Sequence, residues 1–212
     1  MIEVVIITVA SFKGGVGKTT TAIHLAAYFS DQAATVLIDG DPNRSSTSWA
    51  ARGMPPFAVG GEHQIAIYAR QCEHLIIDTK ARPEPQDLKA LAEGCDMLVL
   101  PCTPDPFSLD ALLMTVEALQ KLGTTQYKIL LTIVPPRPMT DGENARKAII
   151  KAGLPIFAGE IRRTVAFQRS ALEGVTVDRI RGVDMAGLAW RDYEGIGEEI
   201  ESSYAQNLKA RN

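Results

Sequence analysis

One stretch, Ser11-Phe12-Lys13-Gly14-Gly15-Val16-Gly17-Lys18-Thr19-Thr20, limits the folds open to this chain more than any other feature. It follows a short β-branched run, residues 4–10, fit for a buried parallel strand. It opens a segment in which Ala22, Ile23, Ala26 and Phe29 recur at helical spacing. Strand, glycine loop and helix form the context in which a backbone cradles phosphate. Glycines let the chain turn with its N–H groups pointing inward as an anion nest, and the helix adds unpaired N–H groups and the positive end of its dipole. Lys13, Gly14, Gly15, Val16, Gly17, Lys18, Thr19 and Thr20 are therefore expected to bind a nucleotide. In that reading Lys18 reaches the β- and γ-phosphates and Thr19 ligates Mg²⁺ through its hydroxyl. The strict pattern GxxxxGK[ST] is not met, because Phe12 stands at its first glycine; the form present is KGGxGKTT, with a second lysine, Lys13, at its start.

The rest of the chain repeats the alternation. Strands are expected at 36–38, ending at Asp39; at 74–77, ending at Asp78; at 97–100, closed by Pro101; and at 128–134, closed by Pro135 and Pro136. Helical spacing marks 86–93, 109–122, 143–152, 166–172 and 186 to about 208. Residues 53–61, GMPPFAVGG, read as the most flexible loop. Strands alternating with helices imply an α/β fold of the P-loop NTPase kind, with a mostly parallel twisted sheet and helices on both faces. The 212 residues suit one such domain over 1–212. Ligands of such sheets gather beyond the carboxyl ends of the strands, where the glycine loop, Asp39, Asp41 and Asp78 all fall.

Composition removes several alternatives. Three cysteines, Cys72, Cys95 and Cys102, form no CxxC pair, which argues against structural zinc or an intrachain iron–sulfur site and for free thiols in a reducing cytosol. The apolar N-terminal run lacks a basic start and leads straight into the glycine loop, so it reads as a strand and not a signal peptide. No apolar run is long enough to span a bilayer. A formal net charge of -3 gives no general attraction for nucleic acid, so DNA contact would need a local basic patch and more than one copy of the chain. His24, His63 and His74 show no ligand spacing, and His24 is expected to be packed or solvated. Asp78, at the end of an apolar strand, is expected to hold the Mg²⁺ shell.

The segment Lys13 to Thr20 resembles the deviant Walker A box of the ParA/MinD ATPases, and most of all that of small plasmid-partition ParA proteins. The likeness extends to Leu37-Ile38-Asp39-Gly40-Asp41-Pro42-Asn43, similar to the family's D-x-D-P-Q box, and to Leu75-Ile76-Ile77-Asp78-Thr79, similar to its Walker B strand. Val99-Leu100-Pro101 and Thr103-Pro104 look like the next strand end, placing Pro101, Thr103 and Pro104 near the base. The resemblance implies an ATP- and Mg²⁺-dependent ATPase with Lys13, Lys18 and Asp41 as catalytic residues. Lys13 would cross a sandwich homodimer to the partner's ATP, Asp41 would orient the attacking water, and Thr19, Asp39 and Asp78 would lie on the metal side. Two departures stand out: Asn43 replaces the usual glutamine, and Lys80-Ala81-Arg82-Pro83 follows the Walker B aspartate, with Lys80 and Arg82 read as solvated.

What the resemblance implies for function is a nucleotide-gated dimer that binds DNA non-specifically, is stimulated by a ParB-like or adaptor protein, and partitions a plasmid or other cytoplasmic cargo. Such a protein would be cytoplasmic and nucleoid-associated when ATP-bound. Arg162, Arg163, Arg169, Arg179 and Arg181, with Lys147 and Lys151 earlier, are the basic residues available for phosphates. A MinD-like membrane switch is the alternative, but residues 198–212 carry Glu198, Glu199 and Glu201 with few bulky apolar groups, which suits no stable membrane association. Positioning of a protein organelle such as a carboxysome shares every residue named and is left open.

Overall fold

The computed structural model describes residues 4–81 and 85–211, with side chains described for all but 85, 86 and 206–211 of these. Arg82 and Pro83, singled out in the sequence, lie outside the described residues. The elements run β1 (Val5–Ser11), α1 (Lys18–Ser30), β2 (Thr35–Gly40), α2 (Ser45–Ala50), β3 (Ala58–Gly61), α3 (Ile65–Tyr68), β4 (His74–Ala81) and α4 (Pro85–Glu93). They continue with β5 (Met97–Cys102), α5 (Pro106–Lys121), β6 (Tyr127–Leu131), α6 (Asp141–Lys151), α7 (Val165–Glu173) and α8 (Ala186–Arg211). The six strands form one parallel sheet in the order β3-β2-β4-β1-β5-β6. This is the α/β architecture expected of a P-loop NTPase.

Central strands are near-continuous apolar runs because both sheet faces are covered. On one face Ile7, Val9, Leu37, Ile76 and Val99 pack against Ala22, Leu25, Ala26 and Phe29 of α1 and Tyr193, Ile196 and Ile200 of α8. On the other, Leu98, Leu100, Ile129 and Leu131 pack against Leu88 and Ala92 of α4 and Leu112, Val116 and Leu119 of α5. The chain passes from β1 to the β2–β3 side and returns to β5 and β6 on the opposite side. The loop after β1 therefore opens at the sheet's switch point, where ligands of such folds bind.

Four boundaries differ from the sequence reading. The strand expected to end at Asp78 runs on to Ala81, because pairing to β2 continues at Thr79 and pairing to β1 at Ala81. Residues 53–61 are not one loop: Ala58–Gly61 is an edge strand paired to β2, and Phe57 is buried in a stack on Trp49, ring centroids 6.1 Å apart. Gly53 abuts the backbone of Gly174, the left-handed C-cap of α7, so closely that a Cβ on either would overlap the other's main chain. The glycines here serve packing and not mobility. Pro101 does not close β5, which runs on to Cys102; pairing with β1 has ended at Val99, and the strand carries the proline while bonded to β6 alone. The last strand stops at Leu131 and not at Val134, because Ile133 adopts a left-handed φ of 54°, strained for a β-branched residue.

Candidate functional site

The glycine loop is shaped by two left-handed residues, Gly15 (φ 78°) and Gly17 (φ 84°). Gly17 is also the N-cap of α1, so it offers no side chain to the helix's first N–H groups, and no acidic residue sits in the first turn. Those donors are left for an anion. The loop is held from beneath. Val16 is buried and its carbonyl accepts a 2.8 Å hydrogen bond from the Thr132 hydroxyl at the end of β6. The Ser11 hydroxyl accepts from the Lys13 N–H.

Lys18 is only 7% exposed. Its ammonium donates to the Thr79 carbonyl at 2.7 Å and stands 3.8 Å from Asp78 Oδ1. Asp78 is fully buried, and burial pushes its carboxyl up, against the opposing pull of the Lys18 charge and the Ser46 and Thr19 hydroxyls. Its Oδ2 accepts from the Ser46 hydroxyl at 2.8 Å, while Oδ1 has no hydrogen-bond partner among the described residues. A buried carboxylate oxygen without a donor costs free energy unless a cation faces it. That oxygen, with the Thr19 hydroxyl close by, fits a divalent cation. Mg²⁺ takes one or two protein oxygens and completes its shell with phosphate and water, so a set as small as Asp78 and Thr19 would suffice.

Asp39 sits beside Asp78 in register across β2 and β4. Its Oδ2 accepts from both the N–H and the hydroxyl of Thr47, each at 2.7 Å, and its Oδ1 from the Asp41 N–H. Asp39 thus anchors the start of α2 and the Asp41 turn. Asp41 lies beyond the strand end, on the cavity wall, where its Oδ1 accepts from the Asn43 N–H and side-chain amide.

The glycine loop, Lys18, Thr19, Thr20 and Asp41 line a cavity of about 580 Å³, within the usual size of a ligand pocket. A second wall is formed by Ile133, the segment 161–164, Phe167, Gln168 and Ala171 of α7, and Tyr193. Sequence reasoning missed this wall. Pro101, Thr103 and Pro104 do not line it: Pro101 is buried in β5, and the Thr103 hydroxyl is bonded to Asp105 and Ser108.

Lys13 also borders the cavity, but its ammonium is held on its own chain, by Asp105 Oδ1 at 3.0 Å and Ser108 Oγ at 2.7 Å at the head of α5. Burial would raise the Asp105 carboxyl, but hydrogen bonds from Thr103, Ser108 and Lys13 outweigh it and hold the group well below the usual carboxylate range. Lys80 is likewise paired, with Asp87 at 2.6 Å. Of the arginines proposed for DNA, Arg162 is engaged differently. Like Arg163 it lines the cavity, but its guanidinium forms a bidentate pair with Asp192, at 2.6 and 2.7 Å, which neutralises its charge locally. Arg163, Arg169, Arg179 and Arg181 are exposed, Arg179 with an ion pair to Asp178 at 3.6 Å.

His24 proves to be packed and not solvated. It stacks on Tyr193, ring centroids 4.8 Å apart, meets Phe167 edge-on, and links Thr20 O to the Val177 N–H through its two ring nitrogens. Burial lowers its pKa from 6.5 to about 4. The folded chain keeps His24 neutral while the unfolded chain takes up a proton below pH 6.5. Its contribution is therefore complete above that pH and is lost as pH falls toward 4, by up to about 3 kcal/mol. Melting curves from pH 7 to 4 are expected to show this acid limb, and His24→Gln is expected to flatten it; an equal slope in the variant would contradict the assignment.

Strand, loop and helix, with a buried lysine and aspartate behind them, define a P-loop nucleotide-binding domain. The chain belongs to the CobQ/CobB/MinD/ParA nucleotide-binding domain family, which it matches over residues 7–177. It is 34% identical over 208 residues to the maintenance of carboxysome distribution protein A of Gloeobacter kilaueensis, covering 94% of this chain and 95% of that protein. Among solved structures, the ATP complex of a Cyanothece McdA variant is similar at a TM-score of 0.71 and 17% identity, covering 97% of this chain and 98% of that one. A plasmid partition protein of Borrelia burgdorferi bound to AMPPNP is similar at a TM-score of 0.69 and 19% identity, covering 96% and 99%.

Proposed function

We propose that this chain is an ATPase that works as a nucleotide-gated dimer: it binds ATP with Mg²⁺, pairs with a second copy, binds DNA without sequence preference, and returns to monomers on hydrolysis. One observation carries the reading. Lys18, Thr19 and Asp41 line one nucleotide-sized cavity, Asp78 with an unpaired buried oxygen stands beside Lys18, and a second lysine, Lys13, lines the same cavity.

In this reading the loop N–H groups and Lys18 hold the phosphates, and Lys18 exchanges the Thr79 carbonyl for phosphate oxygens. Thr19 and Asp78 hold the metal side, with Asp39 steadying the Asp41 turn. Bound Mg²⁺ supplies charge neutralisation on the phosphates. Asp41 orients a water for in-line attack, giving ADP and phosphate. Lys13 leaves Asp105 and Ser108 to meet the nucleotide of the second copy. Arg163, Arg169, Arg179 and Arg181 are the proposed DNA contacts, and Arg162, already paired, contributes less. A ParB-like or adaptor protein would stimulate turnover, and the protein would be cytoplasmic, joining the nucleoid in its ATP state.

The cargo has two readings of similar weight. A plasmid is supported by the resemblance to small partition proteins. A protein organelle such as a carboxysome is supported by the 34% identity to the Gloeobacter kilaueensis protein over nearly the whole of both chains. A membrane switch is disfavoured: Ile196 and Ile200 of α8 face the core, and residues 198–212 begin with Glu198, Glu199 and Glu201, which suits no interfacial amphipathic helix.

Light scattering and DNA gel shifts with ATP, ADP and rising salt test the gate. Doubling of mass and salt-sensitive DNA binding are expected with ATP only. DNA binding indifferent to nucleotide would overturn the switch.

A further inference from the structure

We propose that Ser46 is a positioning residue that decides which oxygen of Asp78 is presented to the divalent cation. The inference rests on the nucleotide–metal reading above and extends it to a residue that reading does not use. Ser46 and Asp78 are both fully buried, and the Ser46 hydroxyl donates to Asp78 Oδ2 at 2.8 Å. Oδ1 is left without a donor, 3.8 Å from the Lys18 ammonium. A carboxylate has two equivalent oxygens and is free to turn about its bond to Cβ. A buried donor on Oδ2 removes that freedom and leaves Oδ1 on the side of the Lys18 ammonium, with the Thr19 hydroxyl near the carboxylate, where the cation would be held.

The geometry is not a by-product of a stable helix. Ser45–Ala50 is six residues long, Ser-Ser-Thr-Ser-Trp-Ala, and poor in intrinsic helix formers. It is tied down by consecutive residues to the two buried aspartates that sit side by side in the sheet: Thr47 takes Asp39, and Ser46 takes Asp78. The two carboxylates repel, and each is given its own donor from the same turn. Because α2 follows directly on the turn that carries Asp41, Ser46 also ties the water-orienting side of the site to the metal side.

Manganese serves as the probe, titrated by paramagnetic resonance against the ADP complex of the wild-type chain, Ser46→Ala and Ser46→Thr. ADP affinity in EDTA is measured alongside. Loss of the hydroxyl is expected to weaken manganese binding about tenfold or more, the usual effect of removing a group that orients a metal ligand. ADP affinity in EDTA is expected to stay within about twofold. Ser46→Thr, which keeps the hydroxyl, is expected to bind manganese as the wild type does. Equal manganese affinity in Ser46→Ala and wild type would overturn the proposal, as would equal weakening in Ala and Thr, which would trace the effect to packing. A wild-type chain that binds no ADP–manganese would sink the nucleotide reading itself, a result separate from any pattern among the variants.

Discussion

Replacing Lys18 with alanine is expected to abolish measurable ATP binding, with affinity falling at least about 100-fold, or about 3 kcal/mol. Two effects combine. The ammonium is a buried cation lining the cavity where the phosphates are proposed to lie, and a charge-assisted hydrogen bond to phosphate contributes about 1.5–3 kcal/mol before the low local dielectric strengthens it. Its loss also leaves Asp78 as a buried carboxylate without its nearest cation, so the carboxyl shifts further toward the protonated form and suits a divalent ion less well. Calorimetry with a non-hydrolysable analogue and Mg²⁺ reads the first effect, and thermal melting reads the second. Unaltered affinity would remove Lys18 from the cradle.

Lys13→Ala is expected to behave in the opposite way: nucleotide affinity within about threefold of wild type, but no ATP-dependent dimer, a loss of at least about tenfold in association. The ammonium is one-third exposed and bonded to Asp105 and Ser108, so its removal opens no cavity. Asp105 keeps its hydrogen bonds from Thr103 and from the Ser108 N–H at the head of α5, and stability is expected to change by less than about 1 kcal/mol. Light scattering with ATP decides: normal dimers in the variant would show that Lys13 does not work across an interface.

These expectations were partly legible in the sequence. The glycine loop was, because Gly15 and Gly17 solve a local backbone problem and Lys18 follows at fixed spacing; the loop's chemistry lies within a few residues. Asp39 and Asp78 were legible because each follows directly on an apolar strand run, 36–38 and 75–77, although both prove buried and β4 runs on past Asp78 to Ala81. What escaped was assembled across long sequence distances. Ile133, Phe167, Gln168 and Tyr193 share a cavity wall only because β6, α7 and α8 converge there, and no spacing announces it. Lys13 meets Asp105, and Arg162 meets Asp192, through packing of separate units. The glycines of 53–61 suggested mobility where tight backbone contact with Gly174 was the actual requirement.

Calorimetric titration of the purified wild-type chain with ATPγS, with and without Mg²⁺, tests the phosphate cradle most directly. Saturable binding of one nucleotide per chain, tightened by Mg²⁺, is the expected result. An absence of binding heat under both conditions, with a folded protein confirmed by melting, would contradict it.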